Sequence, residues 1–288
     1  MRFENVLSGF IPEPRGRDGL ELALVLSRQS GARLLVATVE PPAWSAPGPA
    51  RAEEHAWRAY LQEQAGQTLE LARKLAGADA EYLVRTHRGS GRGLLELARK
   101  RGADVVVIGS APHGGRGRIS VGSTADQLLH ASSVPVLLAP RGYADRPPAA
   151  FERITLAYRR GPGADAAVLS AAEAAVSLDV PLRLVTLVVR GARRAKVEEE
   201  MLVRLREQAL ADLKTAARGQ RRRIGVDLEV LEERDVGQAL AATTWLPGEL
   251  LVCASSDSGP LRRVFLGDTS LKIVRSATCP VMILTRQS

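Results

Sequence analysis

One loop of this chain has residue types and spacing that suit the binding of a phosphate or another anion. It begins at Gly109, continues through Ser110, Ala111 and Pro112, and reaches Gly122-Ser123 after nine further residues. Glycines allow backbone N–H groups to approach phosphate oxygens, and a helix that follows the loop adds the positive end of its dipole. The residues therefore favour an anion site, although a plain helix start has the same features.

Side chains in and after the loop could strengthen such a site. A hydroxyl group from Ser123 or Thr124 would cap the helix, and Arg116 and Arg118 could add positive charge. His113 lies in the same loop, but an exposed loop histidine explains it equally well. No pairing of acid and base recurs along the chain, so we predict no catalytic residue and no metal site.

The block from Asp104 to Pro140 recurs in degraded form between Glu249 and Thr285. Three pairs of residues mark the repeat, and each pair is separated by 145 positions: Gly109 and Ala254, Gly122 and Gly267, Pro135 and Pro280. A repeat of this period indicates a duplicated domain.

The second copy has lost the features of the anion loop. Ala254, Asp257 and Gly267-Asp268 stand where the first copy has Gly109, Pro112 and Gly122-Ser123. Asp268 is an adequate helix N-cap, but its carboxylate would repel a phosphate. We therefore expect the second domain to serve mainly as a structural partner.

Strand and helix patterns alternate through both halves and position these loops. Phe151-Glu152 echoes Phe3-Glu4 at an offset of 148, so the halves match throughout. Alternation of this kind predicts an α/β fold made of two tandem, open, parallel five-stranded sheets with helices on both faces. The first half is predicted to contain strands at 5–9, 32–39, 81–86 and 104–108 and helices at 19–29, 52–75 and 94–100.

The second half is predicted to contain helices at 164–177 and 194–218 and strands at 182–189, 226–231, 250–254 and 281–284. A stretch that contains glycine and proline without periodicity separates the halves. We predict a first domain over residues 1–141, a linker over 142–150 and a second domain over 151–288.

Composition limits the class of protein. The 288 residues are 45% hydrophobic and 25% charged, which is typical of globular domains. We find no apolar stretch long enough to span a membrane and no signal-peptide pattern, so we expect a cytoplasmic protein. Cys253 and Cys279 lie in apolar runs, which favours buried thiols in a reducing compartment.

The net charge of +8 does not favour a specific nucleic-acid partner, because it is spread evenly. From Phe151 onward there are 21 Lys and Arg against 17 Asp and Glu, and the first half has 19 against 15, so each half carries +4. The cluster Arg221-Arg222-Arg223 is explained by a solvated helix end.

The two tail blocks and the order of elements resemble the universal stress protein family in its tandem, two-domain form. In nucleotide-binding members the loop reads Gly, two residues, Gly, nine residues, then Gly-Ser or Gly-Thr. Here the spacing is kept, but Pro112 replaces the middle glycine and removes a backbone N–H. The acidic residue that binds ribose is also missing, since Phe10 or Ile11 falls at its position and Arg159 stands near it in the second half.

The resemblance implies a candidate nucleotide site in the first domain only, for ATP or AMP, and weakened by these losses. Its residues would be Val39, at the base-contact position, and the loop residues Gly109, Ser110, Pro112, Arg116, Arg118, Gly122, Ser123 and Thr124. The family also pairs domains through their last strands, here 136–138 and 281–284, and duplicated domains commonly mimic a homodimer.

Three hypotheses about function remain open at this point. The first is a non-enzymatic regulator with at most one weakened adenine-nucleotide site. The second is a nucleotide-free domain pair that acts through contacts with a client protein, for instance a transporter, or as a homodimer. The third, an ATPase or adenylyl-transferring enzyme, is the weakest, because neither loop contains a lysine or a metal-binding carboxylate cluster.

Overall fold

The computed structural model describes residues 1–42, 51–189, 196–254 and 268–285; at 51, 52, 196–198 and 268 it describes the backbone alone. Asp257 and Gly267 lie outside these ranges, as does the side chain of Asp268. The loss of anion-binding features expected from them is therefore untested.

The described residues form ten strands and eight α-helices that alternate along the chain. The strands are β1 (Asn5–Gly9), β2 (Arg33–Glu40), β3 (Glu81–Thr86), β4 (Val105–Gly109), β5 (Val136–Ala139), β6 (Arg153–Ala157), β7 (Leu182–Val189), β8 (Val226–Glu233), β9 (Glu249–Ala254) and β10 (Val281–Leu284). The helices are α1 (Pro14–Ser30), α2 (Arg51–Ala76), α3 (Ser90–Arg101), α4 (Ser123–Ala131), α5 (Ala164–Leu178), α6 (Lys196–Ala217), α7 (Val236–Ala242) and α8 (Asp268–Ser276).

Most boundaries follow the predicted pattern, but α1 begins at Pro14 instead of residue 19. Proline at the first helical position costs no hydrogen bond, and its fixed φ suits a helix start. The first turn, Pro14 to Arg17, carries no apolar side chain, so hydrophobic periodicity could not reveal it. The sequence pattern therefore missed the helical turn that lies nearest to the candidate loop.

The sheet confirms the predicted fold and joins its two halves. Its strand order is β3-β2-β1-β4-β5-β10-β9-β6-β7-β8. All pairs within each half are parallel, whereas β5 and β10 pair antiparallel with Val281 opposite Leu138 and Ile283 opposite Val136. The expected pairing of the domains through their last strands is confirmed, and it makes one continuous ten-stranded sheet.

Both faces of the sheet are covered, and each face has a core drawn from both halves. One core contains Ala72 of α2, Leu22 of α1, Ala171 of α5 and Leu213 of α6. The other core contains residues of the remaining helices: Leu94, Leu128, Leu240 and Ile273. Burial of this aliphatic surface is the main stabilising contribution.

Hydrogen bonds from Gln29 link the two halves on the α1 face. Its side-chain amide donates to the carbonyl oxygens of Phe151 and Leu178, at 3.1 and 2.9 Å, and its Oε1 accepts the backbone N–H of Phe151 at 2.7 Å. Nearby, the N-terminal ammonium of Met1 pairs with Glu173 on α5. These contacts fix α1 against the end of α5.

Two further expectations concern the thiols and the membrane. Cys253 and Cys279 are free and buried, as predicted. In the part of the chain that the structure describes, none of the helices has the length and apolar character needed to cross a bilayer.

Candidate ligand sites at the carboxyl ends of the strands

The start of α1 covers the first-domain loop where that loop leaves β4. A Cβ atom on Gly109 would lie 2.8 Å from the carbonyl carbon of Arg15 and closer still to its oxygen. A Cβ atom on Gly19, one turn further along α1, would lie 2.7 Å from the backbone nitrogen of Gly109. The two glycines thus permit direct packing of the helix against the strand end, and the backbone of Arg15 occupies the space beside Gly109.

The loop after β4 also uses its own polar groups internally. The backbone N–H of Ala111 donates to the carbonyl of Ser120 at 2.9 Å. The buried Ser110 hydroxyl accepts the N–H of Ser120 at 2.8 Å and donates to the carbonyl of Ala111 at 3.2 Å. Pro112 is exposed and has no N–H to donate. The loop is therefore closed by bonds between its two arms.

The two arginines that were expected to add charge contact other protein groups. Arg116 pairs with Asp145, and Arg118 donates to the carbonyl oxygen of Ser276 at the end of α8. The N–H of Gly117 donates to the carbonyl of Arg141 at 2.8 Å. In this structure Arg116 therefore attaches the loop to the segment after β5, and Arg118 attaches it to the second domain.

The start of α4 differs from the predicted cap. Gly122 is the N-cap residue and no side chain caps the helix, while Ser123 is exposed. The hydroxyl of Thr124 lies 2.6 Å from that of Ser90 on α3. Helix packing thus occupies Thr124, whereas Ser123 remains accessible.

Val39 packs toward α3. A Cβ atom on Gly93 would lie 2.7 Å from Cγ1 of Val39 and 3.1 Å from Cβ of His87. The side chain of Val39 thus contributes to the core beneath α3. The two ends of the loop are brought together by the bond between Ala111 and Ser120 described above.

Asp18 ties α1 to the residues predicted as a linker. Its buried carboxylate accepts the backbone N–H groups of Gly142 and Ala144 at 2.8 and 2.9 Å, at the start of a short 3-10 helix over Tyr143–Asp145. Tyr143 is buried against α1, and burial raises the pKa of its hydroxyl. The first part of the linker is thereby held on the first domain.

The corresponding place in the second domain is open. A cavity of about 880 Å³ lies at the carboxyl ends of β6, β7, β9 and β10, between α5, α6 and α8. Its volume falls within the range of roughly 300–1,000 Å³ that is usual for small-molecule sites. We call it the second-domain cavity.

Two substitutions between the halves explain the opening. Ala254 stands at the position of Gly109, and Ala167 is 148 positions from Gly19. Methyl groups at both places prevent the close helix packing found in the first domain, where Cβ atoms would overlap backbone atoms. Accordingly α5 begins at Ala164, and Pro162, the counterpart of Pro14, lies in the loop before it.

About a third of the described residues that line the second-domain cavity have polar side chains, and some of these pair with one another. Arg160 pairs with Asp212 at 3.1 Å, and Asp212 also accepts a hydrogen bond from Gln208 at 2.8 Å. Burial raises the pKa of the Tyr158 hydroxyl, and the nearby Asp212 carboxylate raises it further. Arg159 and Arg160 both lie at the mouth with exposed side chains.

A buried ionic cluster lies at the opposite edge of the second domain, where β6 and β9 begin. Glu249 is fully buried and accepts from Arg153 at 2.7 Å and from Thr155. Arg183, also buried, donates to Thr155 and Glu229 at 2.9 and 3.0 Å, and its guanidinium carbon lies 5.0 Å from the centre of the Trp245 ring. These groups satisfy one another and form a structural element of the core.

The loop spacing predicts a candidate site in the first domain, and nothing in that pattern predicts the cavity in the second domain. The available signal was the paired change from Gly19 and Gly109 to Ala167 and Ala254. From the sequence alone, the replacement of Gly109 by Ala254 in the second copy indicates only a loss of phosphate contacts.

Comparisons with known proteins agree with the duplicated fold. The profile of the universal stress protein family matches residues 3–140 and 150–285. A universal stress protein of Mycobacterium tuberculosis strain H37Rv is 33% identical over 294 residues, with 97% of this chain and 99% of the relative covered.

Solved structures resemble the whole chain. The crystal structure of a universal stress protein from Archaeoglobus fulgidus has a TM-score of 0.67 at 18% identity and covers 100% of this chain and 98% of its own. A protein of Pseudomonas aeruginosa PAO1, described as functionally unknown, has a TM-score of 0.60 at 14% identity, with 98% and 92% covered. At these identities the likeness shows the fold.

Proposed function

Because the chain belongs to the universal stress protein family and carries two of its domains, we propose that it is a non-enzymatic regulator whose state depends on a small ligand in the second-domain cavity. The first domain is its closed partner. The single observation that carries the proposal is the difference between the two strand ends: α1 covers Gly109, whereas Ala254 lines an open cavity.

The position of the cavity supports ligand binding on general grounds. In open parallel sheets, ligands bind beyond the carboxyl ends of the strands. Among the described lining residues, apolar side chains predominate and polar ones make up about a third, and sites for small molecules commonly combine the two in this way. The mouth of the cavity carries two arginines, and only Arg160 is paired with the aspartate among the described lining residues, so the ligand is expected to be anionic.

Binding of a fluorescent anion, anilinonaphthalene sulfonate, tests the proposal. We expect saturable binding of one molecule, with fluorescence enhancement reduced in Ser170→Trp, because the larger side chain would project from α5 into the cavity. Gly115→Val, at an open position in the first-domain loop, is the matched control and should bind as the wild type does. Equal binding by the wild type and Ser170→Trp would refute a ligand site in the second-domain cavity.

The predicted first-domain site for ATP or AMP is tested by the same set of variants. Titration of ATP, AMP and cyclic AMP by calorimetry would detect it, and Ser123→Asp would remove it by placing a carboxylate beside the phosphates. Nucleotide binding that is lost in Ser123→Asp and kept in Ser170→Trp would move the proposed ligand site to the first domain. Sustained ATP hydrolysis by the purified chain would overturn the non-enzymatic role.

A second candidate function, action through protein contacts, is favoured by an exposed aromatic pair. Trp57 and Tyr60 on α2 stack with ring centroids 5.3 Å apart, and they are 45% and 49% exposed. Exposed paired aromatics are typical of interaction sites. A photo-crosslinking residue at position 57 should capture a client or a second copy in the native host, whereas one at Arg92 on α3 should not. We expect a cytoplasmic location for both candidate functions.

A further inference from the structure

The charged side chains that the structure describes around the second-domain cavity carry a net charge of one positive unit. The charged side chains among its described lining residues are Arg159, Arg160 and Asp212, two positive and one negative. Asp212 neutralises Arg160 at 3.1 Å. Arg159 has no hydrogen bond or ion pair to any residue that the structure describes, so one positive charge is available to a ligand.

A large part of the described cavity wall is aliphatic. This part is formed by side chains from β6, β7, α6, α8 and β10: Leu156, Val185, Leu187, Leu205, Ile273 and Leu284. Val189 and Leu205 are each 49% exposed although they line a cavity. Large aliphatic side chains left open in this way gain free energy when an apolar group covers them.

Among the described residues, the strand end offers few donors to a polyphosphate. The methyl group of Ala254 lines the cavity there, and its carbonyl oxygen accepts the Ser270 hydroxyl at 3.5 Å. A nucleotide phosphate at physiological pH carries about two or more negative charges and needs several N–H donors. One available guanidinium matches a singly charged group better.

We propose that the second-domain cavity binds an aliphatic monocarboxylate, with its carboxylate on Arg159 and its chain against Val189 and Leu205. This inference rests on the proposed function and specifies the ligand of that same site. A guanidinium pairs with a carboxylate through two parallel N–H···O bonds, and the mouth position of Arg159 leaves the chain directed into the apolar interior.

Competition against the bound fluorescent anion tests the ligand class. Decanoate should displace it, 1-decanol of the same length should be about tenfold weaker, and AMP should not compete. Arg159→Gln should weaken decanoate about tenfold and leave decanol unchanged, which removes the preference for the acid. Arg159→Lys should restore part of that preference, and Arg222→Gln, an exposed arginine after α6, is the control that should change nothing.

A second variant separates the chain from the charge. Leu205→Asn should weaken decanoate and decanol by the same factor, because both lose the same apolar contact. If the fluorescent anion binds the cavity but AMP displaces it and decanoate does not, the ligand class is wrong while the proposed function stands. If decanoate and decanol compete equally in the wild type, Arg159 has no role and the inference fails.

Discussion

The carbonyl group of Arg15 lies directly against Gly109, so the first turn of α1 is packed onto the end of β4. The carbonyl carbon would be only 2.8 Å from a Cβ atom at that glycine. The contact gives Gly109 a packing role in this chain, although a glycine at this loop position also suits phosphate binding. It holds α1 against the strand end at the place that corresponds to the second-domain cavity.

Gly109→Ala should destabilise the protein by roughly 1–3 kcal/mol, because the added methyl group meets backbone atoms that cannot rotate away. Urea unfolding monitored by circular dichroism measures the change. Gly115→Ala in the same loop is the matched control, since a methyl group there would meet only Arg118 Cγ at 3.9 Å. Equal stability of the two variants would show that α1 does not rest on Gly109.

Gln29→Ala should weaken the attachment of the second domain to α1. The substitution removes three hydrogen bonds to the backbone of Phe151 and Leu178 and leaves their groups half-buried without a partner. We expect a loss of about 1–3 kcal/mol in the free energy of unfolding. Gln67→Ala, an exposed position on α2, should be neutral within about 0.5 kcal/mol; a similar effect of both would argue against the interdomain bonds.

The alternation of strands and helices and the offset of 148 could be read from the sequence because they depend on local periodicity. The register of the repeat also fixed which strands correspond, and the resemblance supplied their pairing. Boundaries without apolar residues could not be found, as the start of α1 at Pro14 shows. Periodicity reports burial, and that turn carries arginines that point away from the core.

The candidate site was less predictable, because its state depends on the distance between a helix and a strand. That distance is set by Gly19 and Gly109 acting together, and each glycine alone has several explanations. The partners of Arg116 and Arg118 could not be predicted from local sequence either, because Asp145 and Ser276 lie 29 and 158 positions away along the chain. Side chains in a loop acquire their contacts from the tertiary fold.

Arg183→Met should be strongly destabilising. Arg183 and Glu249 are 4% and 0% exposed, so the change leaves a buried carboxylate with Arg153 as its remaining ionic partner. Removal of one partner from such a pair costs about 3–5 kcal/mol. Arg160→Met, which breaks the exposed pair with Asp212, should cost about 0–1 kcal/mol by the same urea measurement. If the two variants unfolded at the same urea concentration, the buried cluster would contribute no more to the free energy of unfolding than the pair of Arg160 and Asp212.

The thiol of Cys253 should make stability fall at alkaline pH. Burial raises its pKa from 9.0 to about 12, which favours the protonated thiol in the folded state. A group whose pKa is raised on folding contributes stability that is fully present below its unfolded pKa and is lost as the pH rises through the folded value. The free energy of unfolding should therefore decline between about pH 9 and pH 12, and Cys253→Ala should decline less steeply than the wild type. Ellman's reagent provides an independent check: Cys253 lies in the wall of the second-domain cavity but is only 2% exposed, so its thiol should react slowly at pH 8 in the native protein. Rapid labelling of Cys253 in the native protein, with Cys279→Ala as background, would contradict both expectations.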